Sequence, residues 1–410
     1  MCNHLAGAAA ILALLAFSNP AAAAVADESQ RADEIRIKPI IDTRLRYELV
    51  DQRPLHADAV TLRVRAGAQA NFGSFSALVE GEGTVAPVND YNGFAFPISD
   101  NQRRPRYAVI ADPQSVELNR LQLQYKSDHL TVTAGRQRIN LDDQRWVGSV
   151  GWRQNEQTFD AVRGEASLGP ITMDATYAIS QRTIFGSDAG PRTAIDGKFI
   201  FLSLGSRPGP VQGKLFSYII DYDEGFALPN SSQTYGAYAT GEIPLGKATK
   251  VTVRASYARQ SNYGRNPSDY TANYWLFEAG TKLAGFSITG GWEQLGSDNA
   301  RAVQTPLATL HKFNGWADMF LTTPPNGLED AYLSVGRTFE GVKALPGLNA
   351  NITFHQFDSA EGDVDYGTEW DASAGFKVGK VALLLKYADY DATGFSVDTR
   401  KLWLQAEWAL

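Results

Sequence analysis

The chain has 410 residues, of which 44% are hydrophobic and 20% charged, and its formal net charge is -7. It contains 37 glycines and is 11% aromatic, a composition that favours many strands joined by turns. The single cysteine, Cys2, lies at the extreme N-terminus, so a disulfide framework, a thiolate nucleophile and a cysteine metal site are excluded from a processed chain.

Residues 1–26 are predicted to be a secretory signal peptide. An apolar run at 6–17 is followed by a break at Asn19-Pro20 and by small residues that end at 24–26. A short polar segment, 27–39, is expected to lie in the periplasm, and 40–410 is expected to form one domain.

Period-two alternation begins with a predicted strand at 40–50 and is clearest at 60–70. There Val60, Leu62 and Val64 share one face, while Arg63 and Arg65 share the other. A helix of period 3.6 cannot separate the residues in this way, so this segment is predicted to be a strand.

The same pattern recurs along the chain and closes with a hairpin at 366–378 and 380–391 and a last strand at 402–410. The remaining predicted strands are 75–85, 115–126, 129–139, 158–168, 170–181, 197–206, 213–224, 233–243, 249–260, 272–283, 285–296, 329–340 and 347–358. Strands of roughly 11 residues with one apolar face are typical of membrane barrels, and their number is about 18. The last strand is expected to pair with the first and to carry the signal for the barrel assembly machinery.

The connections alternate between long and short. The long ones are 51–58, 87–114, 140–157, 182–196, 225–232, 261–271, 297–328, 359–365 and 392–398. The sequence therefore predicts an all-β fold: a transmembrane antiparallel β-barrel of about 18 strands with long extracellular loops and short periplasmic turns. A soluble β-sandwich or propeller is the alternative, but it would have its apolar residues inside and its charges outside. The expected location is the bacterial outer membrane, with lipid and lipopolysaccharide as neighbours and no nucleic acid partner.

Three segments resemble a known family. They are VTAGRQRI at 132–139, NLDDQRWVGSVGWRQNEQTFDAVR at 140–163 and QTPLATLHKFNGWADMFLTTPP at 304–325. The chain is similar there to the alginate-export family of Gram-negative outer-membrane porins. The resemblance implies a passive β-barrel conduit for an anionic polysaccharide or a related solute.

Charged residues on the inward phase are the first candidates for contact with solute. The predicted pore-lining residues are Arg44, Arg46, Arg63, Arg65, Glu80, Glu82, Arg120, Arg136, Arg138, Arg163, Arg254, Glu278 and Lys282. The basic residues concentrate in the first six strands, where one basic wall would attract carboxylates. The alternative is that Arg and Glu side chains on neighbouring strands pair with one another, and the sequence leaves both open.

Arg136 follows Gly135 and breaks the alternation. A strict ladder would direct it to lipid, at a cost of about 2 to 4 kcal/mol near the midplane. We expect a β-bulge at Gly135 that turns Arg136 inward; the alternative is a position at the membrane interface.

Two long loops contain many aromatic and amide side chains. Apolar groups in an external loop must be shielded from water, and folding of the loops into the barrel mouth would shield them. The predicted constriction residues are Arg145, Trp152, Arg153, Gln154, Asn155, His311, Lys312, Asn314 and Trp316. A short amphipathic helix is expected over 307–320. The alternative is that the loops pack on their neighbours without touching solute.

No complete catalytic or metal motif is present, and no cofactor is implied. His355 with Asp358 is a weak pattern for a hydrolase at the barrel rim, and the acidic pairs Asp142-Asp143 and Asp363 with Asp365 do not by themselves indicate calcium. The sequence thus predicts a passive channel without enzymatic activity, for hydrophilic anionic solutes or a uronate polysaccharide. A general diffusion porin is the alternative.

Overall fold

A computed structural model describes residues 35–206, 211–246 and 249–410. The expected signal peptide at 1–26 lies outside these residues. The first strand begins at Arg36, inside the segment 27–39 that was expected to precede the barrel.

The alternation of polar and apolar residues gives eighteen long strands. In each of them one set of side chains points into the barrel and the other set lies on the outer surface. The first nine are β1 (Arg36–Gln52), β2 (Leu55–Phe72), β3 (Phe75–Asp90), β4 (Ser115–Lys126), β5 (Leu130–Gln137), β6 (Thr158–Leu168), β7 (Ile171–Arg182), β8 (Ala194–Ser206) and β9 (Val211–Tyr222). The chain continues with β10 (Ser232–Pro244), β11 (Lys250–Asn262), β12 (Thr271–Leu283), β13 (Phe286–Leu295), the two-residue pair β14 (Ser297–Asp298) and β15 (Arg301–Ala302), β16 (Leu328–Thr338), β17 (Asn349–Asp358), β18 (Asp365–Val378), β19 (Val381–Ala392) and β20 (Thr399–Ala409).

The long strands form one closed antiparallel sheet of 18 strands, which confirms the predicted fold. Closure comes from β1 and β20, whose register runs from Asp42 opposite Ala409 to Asp51 opposite Arg400. The expected pairing of first and last strands is therefore confirmed, and no strand edge is left open along this seam.

The outer face of the barrel is apolar. Leu121, Leu123 and Val162 are 53%, 63% and 54% exposed, whereas Arg63 on the inward phase is fully buried. An exposed apolar surface of this extent is stable only against lipid. Within the described parts of the chain, every helix is too short or too polar to cross a membrane.

Two predicted connections differ from the structure. The expected long loop at 51–58 is a tight turn at Arg53 and Pro54, since β1 and β2 extend their pairing to Gln52 and Leu55. The expected helix over 307–320 is absent; the segment holds one 3-10 turn, Leu310–Lys312. Its polar groups instead form hydrogen bonds with the barrel wall and with the other long loop.

Candidate functional site

Two extracellular connections, 138–157 and 296–327, fold into the barrel and join each other; we call them the loop layer. Val147 and Leu307 form a parallel β-bridge, and the Gly148 amide donates to the Leu307 carbonyl at 2.8 Å. Gln157 Nε2 donates to the same carbonyl at 2.9 Å. A Cβ on Gly148 would lie 2.3 Å from Thr309 Oγ1, so this contact requires glycine.

The first segment of the loop layer is held by arginines of β1 and β2. Arg44 Nη1 donates to the carbonyls of Gly151, Trp152 and Arg153 at 2.9, 3.1 and 3.1 Å. Arg65 Nη2 adds a hydrogen bond to the Gln154 carbonyl at 3.2 Å. Backbone carbonyls that would otherwise be buried without a partner are thereby satisfied.

These arginines also pair with carboxylates. Arg44 lies 3.0 Å from Glu407, and Arg63 pairs with Asp42. The further partners are Asp112 for Arg46, and Glu82 and Glu156 for Arg65.

The arginines of the predicted basic wall therefore form ion pairs with carboxylates and hydrogen bonds with the inserted loop. Arg44, Arg46, Arg63 and Arg65 are 7%, 0%, 0% and 4% exposed, and the inserted segment covers them. Their influence on ion selectivity remains a prediction.

The second segment is held by carboxylates of β13, β16 and β18. Asn314 Nδ2 donates to Glu293 at 2.7 Å and to Asp330 at 3.1 Å. The backbone amide of Trp316 donates to Asp371 at 3.2 Å, and that of Ala317 to Glu369 at 2.7 Å. Arginines of β1 and β2 thus bind loop carbonyls, carboxylates of β13, β16 and β18 bind loop amides, and the layer is anchored to both groups of strands.

The centre of the layer is a chain of polar contacts around Asp318. Arg153 Nη2 lies 2.8 Å from this carboxylate, Lys401 Nζ lies 2.9 Å away, and His311 Nδ1 lies 2.7 Å away. Lys386 Nζ is 2.6 Å from His311 Nε2. A neutral imidazole satisfies both contacts, since Nδ1 then donates to Asp318 and Nε2 accepts from Lys386.

The pKa values of the two loop residues agree with this assignment. Burial lowers the pKa of His311 well below its ordinary value, and the Lys386 ammonium adds to that effect. Burial alone would raise the pKa of Asp318, but His311, Lys401 and Arg153 together hold it well below its usual range.

Aromatic rings surround the Lys386 ammonium. Its Nζ lies 3.6 Å from the Trp316 ring centroid, 4.2 Å from Trp152 and 5.5 Å from Trp403. Trp152 also stacks on His311 at 4.6 Å. One lysine of the wall thus contacts both inserted segments, through cation-π interactions that gain strength away from water.

The loop layer has a cavity on each side. The outer vestibule, about 360 Å³, lies on the extracellular side between the layer and the loops around Val109, Phe185 and Phe226. The inner chamber, about 400 Å³, lies beneath Asn314 and Trp316. Its charged lining residues are Arg254, Glu278, Glu293, Lys312, Asp330, His355 and Asp371.

All nine predicted constriction residues belong to the loop layer. Arg145 pairs with Glu293 at 2.8 Å, and Asn155 accepts a hydrogen bond from Thr84 at 2.7 Å. Lys312 Nζ donates to the Asp143 carbonyl at 2.8 Å. Folding into the barrel thus brings together residues that are 71 to 169 positions apart in the sequence.

Among the remaining pore-lining candidates, most form inward ion pairs. Arg120 and Arg138 both contact Glu80, at 2.7 and 3.4 Å. Arg163 lies 2.5 Å from Asp174, and Arg254 lies 2.9 Å from Asp143 and 3.0 Å from Glu278. Lys282 is exposed near the periplasmic end of β12.

The prediction for Arg136 is wrong. The β4–β5 and β5–β6 ladders run through Gly135 and Arg136 without a register shift, and Arg136 lies opposite Leu121, which is on the lipid face. It forms a two-pronged ion pair with Asp160, at 2.8 and 2.9 Å. The pair lies close to the extracellular strand ends, where it reaches polar surroundings and no bulge is required.

The weaker sequence patterns acquire other partners. His355 Nδ1 lies 2.8 Å from Asp330 instead of beside Asp358, and within the described residues no hydroxyl hydrogen-bonds to its ring. Asp142 pairs with Lys214 at 2.7 Å and Asp143 with Arg254. The described part of the chain contains no cluster of three or more metal-ligating side chains.

Sequence reasoning missed Asp318, Lys386, Lys401 and Trp403 as members of the site. The sequence pattern could have identified Lys386 and Lys401, because they lie on the inward faces of β19 and β20. Leu385 and Leu404 lie on the other, lipid-facing sides of the same strands.

Comparison with known proteins agrees with the fold. Residues 41–227 match the model of the family described as Alginate export, which confirms the resemblance over that part of the chain. No curated protein matches the chain.

Solved outer-membrane proteins share the architecture. OccAB4 of Acinetobacter baumannii superposes with a TM-score of 0.72 at 11% identity, covering 94% of this chain and 100% of its own. OccAB2 of the same organism gives 0.73 at 14% identity, covering 91% and 98%. The outer membrane protein opdK of Pseudomonas aeruginosa gives 0.69 at 12% identity, covering 92% and 98%. The chain is a bacterial outer-membrane β-barrel with the fold of a porin.

Proposed function

We propose that the protein is a passive channel for small hydrophilic solutes that carry a carboxylate. The observation that carries this proposal is a closed barrel of 18 strands whose polar lumen holds a cavity on each side of the loop layer. A barrel of this size encloses more space than its side chains fill, and loops then control passage.

A preference for anions is supported at the outer entrance. In the vestibule, Arg153 is compensated by Glu48 and Asp318, whereas Arg192 has no carboxylate within 4.0 Å among the described residues. The entrance therefore has an excess of positive charge, which raises the local concentration of anions. The inner chamber has four carboxylates against two cations, so the preference belongs to entry and not to the whole path.

Conduction of a uronate polymer is a second candidate. The match to the alginate export family over 41–227 favours it. The loop layer lies between the outer vestibule and the inner chamber, so this function requires the layer to move out of the lumen, with loss of the contacts around Asp318.

Single-channel recording of the refolded protein in planar bilayers tests the proposal. We expect stepwise current whose reversal potential, measured under a salt gradient, is shifted toward the equilibrium potential of the anion. Absence of current would refute the channel function. A conducting channel without anion preference would indicate general diffusion. Blockade by uronate oligomers, but not by neutral oligosaccharides of equal length, would support the polymer candidate.

A further inference from the structure

A second arginine lies on the outer face of the barrel, at its periplasmic end. Arg337, near the end of β16, lies opposite Phe286 of β13 and Ala350 of β17, and both ladders run through it without a register shift. Its side chain is on the same face as Leu333, which is 52% exposed to the lipid side. A charge on this face is costly near the midplane and far less so at the interface, where polar partners are within reach.

The contacts of Arg337 differ from those of Arg136, the lipid-facing arginine at the other end of the barrel. Arg136 has the Asp160 carboxylate as its partner. The Arg337 guanidinium carbon instead lies 4.8 Å from the Phe286 ring centroid and 5.4 Å from that of Phe339. Among the described residues it forms neither an ion pair nor a side-chain hydrogen bond. The two rings position the guanidinium but use none of its N–H donors, which are free for an anion.

The periplasmic rim around Arg337 has an excess of positive charge. Segments 280–290, 335–351 and 375–384 contain the periplasmic ends of neighbouring strands and the turns between them. They hold five cations and one carboxylate: Lys282, Arg337, Lys343, Lys377 and Lys380 against Glu340. None of the five cations forms an ion pair within the described chain. Each lysine or arginine near a membrane surface strengthens the attraction of anionic lipid about fivefold, so this rim favours an anionic headgroup.

Apolar surface extends from Arg337 toward the centre of the membrane. Val335 and Leu333 follow on the outer face of β16 and pair with Ile288 and Gly290 of β13. The four residues from Arg337 to Leu333 span about 14 Å of strand. This is about half of the apolar band of an outer-membrane barrel, which is about 25 Å tall. A phosphate bound at Arg337 would therefore place its acyl chains along this surface, within one leaflet.

Small residues open a groove at the upper end of this surface. The groove has a volume of about 520 Å³, and its lining on the outer face includes Gly241, Ala279 and Gly290. A Cβ on Gly290 would lie 3.8 Å from Leu333 Cδ1, so the groove begins directly beside the apolar surface of β16. An acyl chain in this groove would gain the dispersion contacts that a void denies to its walls.

We propose that Arg337 and this groove form a binding site for an anionic glycerophospholipid of the periplasmic leaflet. The phosphate binds Arg337 and one acyl chain lies in the groove. A guanidinium binds two phosphate oxygens through parallel hydrogen bonds, and Phe286 and Phe339 lie at the level of the headgroup, where barrels carry aromatic girdles. The site is outside the pore, so it does not depend on conduction.

An acidic periplasmic protein is a different class of partner for the same cations. It would contact Lys343 and Lys380, which lie in the turns β16–β17 and β18–β19. Arg337 is placed otherwise, because its neighbours Phe286 and Val335 are on the lipid-facing side. The position of Arg337 therefore favours the lipid.

Native mass spectrometry of the folded full-length protein in detergent tests the site, with dipalmitoyl phosphatidylglycerol as the probe. Dipalmitoyl phosphatidylethanolamine has the same chains with a zwitterionic headgroup, and glycerophosphate has the phosphate without chains. We expect one bound phosphatidylglycerol, with an affinity about fivefold or more above that of phosphatidylethanolamine. Glycerophosphate should neither bind nor displace it, since the site needs an acyl chain.

Arg337→Gln is expected to weaken phosphatidylglycerol binding on the order of tenfold to a hundredfold, because a hydrogen-bonded charge is removed. Arg136→Gln is the matched control, since Arg136 is also on the lipid face but at the extracellular end, and binding should be unchanged. Gly290→Leu should fill the groove and weaken binding; the new Cβ would make only ordinary contacts, at 3.8 Å, so the strand can accept it. Folding of each variant is checked by its heat-dependent mobility in detergent gels.

Unchanged phosphatidylglycerol affinity in folded Arg337→Gln or in folded Gly290→Leu would overturn the proposal. Loss of binding in Lys343→Gln with Lys380→Gln, but not in Arg337→Gln, would also overturn it and assign the rim to an acidic partner. Dimers in place of the lipid adduct would assign the groove to a second copy of the chain. A protein that binds the lipid but passes no current would refute the channel function alone, and a conducting protein that binds no lipid would refute the site alone.

Discussion

Arg153 joins the two halves of the loop layer to the barrel wall, and its replacement tests whether the layer controls conduction. The side chain is 6% exposed and bridges Asp318 of the second segment at 2.8 Å and Glu48 of β1 at 3.4 Å. Arg153→Met keeps the length and apolar body of the side chain but removes the cation from between two buried carboxylates.

The magnitude follows from the partners that remain. Loss of one member of a buried ion pair costs about 3 to 5 kcal/mol. Asp318 keeps Lys401 and His311, but Glu48 keeps no ion-pair partner among the described residues, so we take the lower end, about 3 kcal/mol, as the minimum cost. At 1.4 kcal/mol per factor of ten, the ratio of displaced to inserted loop layer should rise by roughly a hundredfold.

Single-channel recording measures this ratio as the fraction of time spent in a state of larger conductance. Arg265→Met is the control, because Arg265 forms an exposed extracellular pair with Asp223 at 3.2 Å, and exposed pairs contribute about 0 to 1 kcal/mol. If Arg153→Met conducts with the same amplitudes and dwell times as the wild-type protein, the loop layer does not control the current.

Three further predictions concern the same architecture. The inserted loop holds His311 neutral beside Lys386, whereas a released loop would protonate it below about pH 6.5, so insertion weakens as pH falls through that value. His311→Gln should flatten the pH dependence of the larger-conductance state, and an unchanged profile would contradict this account. Gly148→Val should also favour that state, because the new side chain would collide with Thr309, and protease sensitivity of the loops should rise in parallel. Arg136→Met should leave conductance and reversal potential unaltered, since Arg136 lies on the lipid face; a shift in reversal potential would return it to the lumen.

Much of the fold was predictable because each strand carries its own evidence. Alternation such as that of Leu62, Arg63 and Val64 depends only on which side of a strand meets lipid, so it can be recognised without knowing the neighbouring strands. The strand count and the closure of β1 on β20 follow from repeating that pattern around the barrel.

The strict alternation also contained the answer for Arg136. The alternation along the strand placed Arg136 on the outer face. The predicted bulge departed from that alternation in order to avoid a charge in lipid. Asp160 removes the conflict, because a paired charge near the strand ends is far less costly than an isolated one at the midplane.

What the sequence determined by itself was the barrel, the side on which each residue lies, and the two loops whose apolar residues require cover. Only the tertiary structure decided that Arg44 binds the carbonyl of Gly151, that Asp371 accepts the amide of Trp316, and that Arg153 meets Asp318. These contacts join residues 107, 55 and 165 positions apart. The local sequence pattern shows whether a side chain faces the lumen or the lipid. The contacts that loop residues make inside the lumen depend instead on where closure of the whole barrel places each strand.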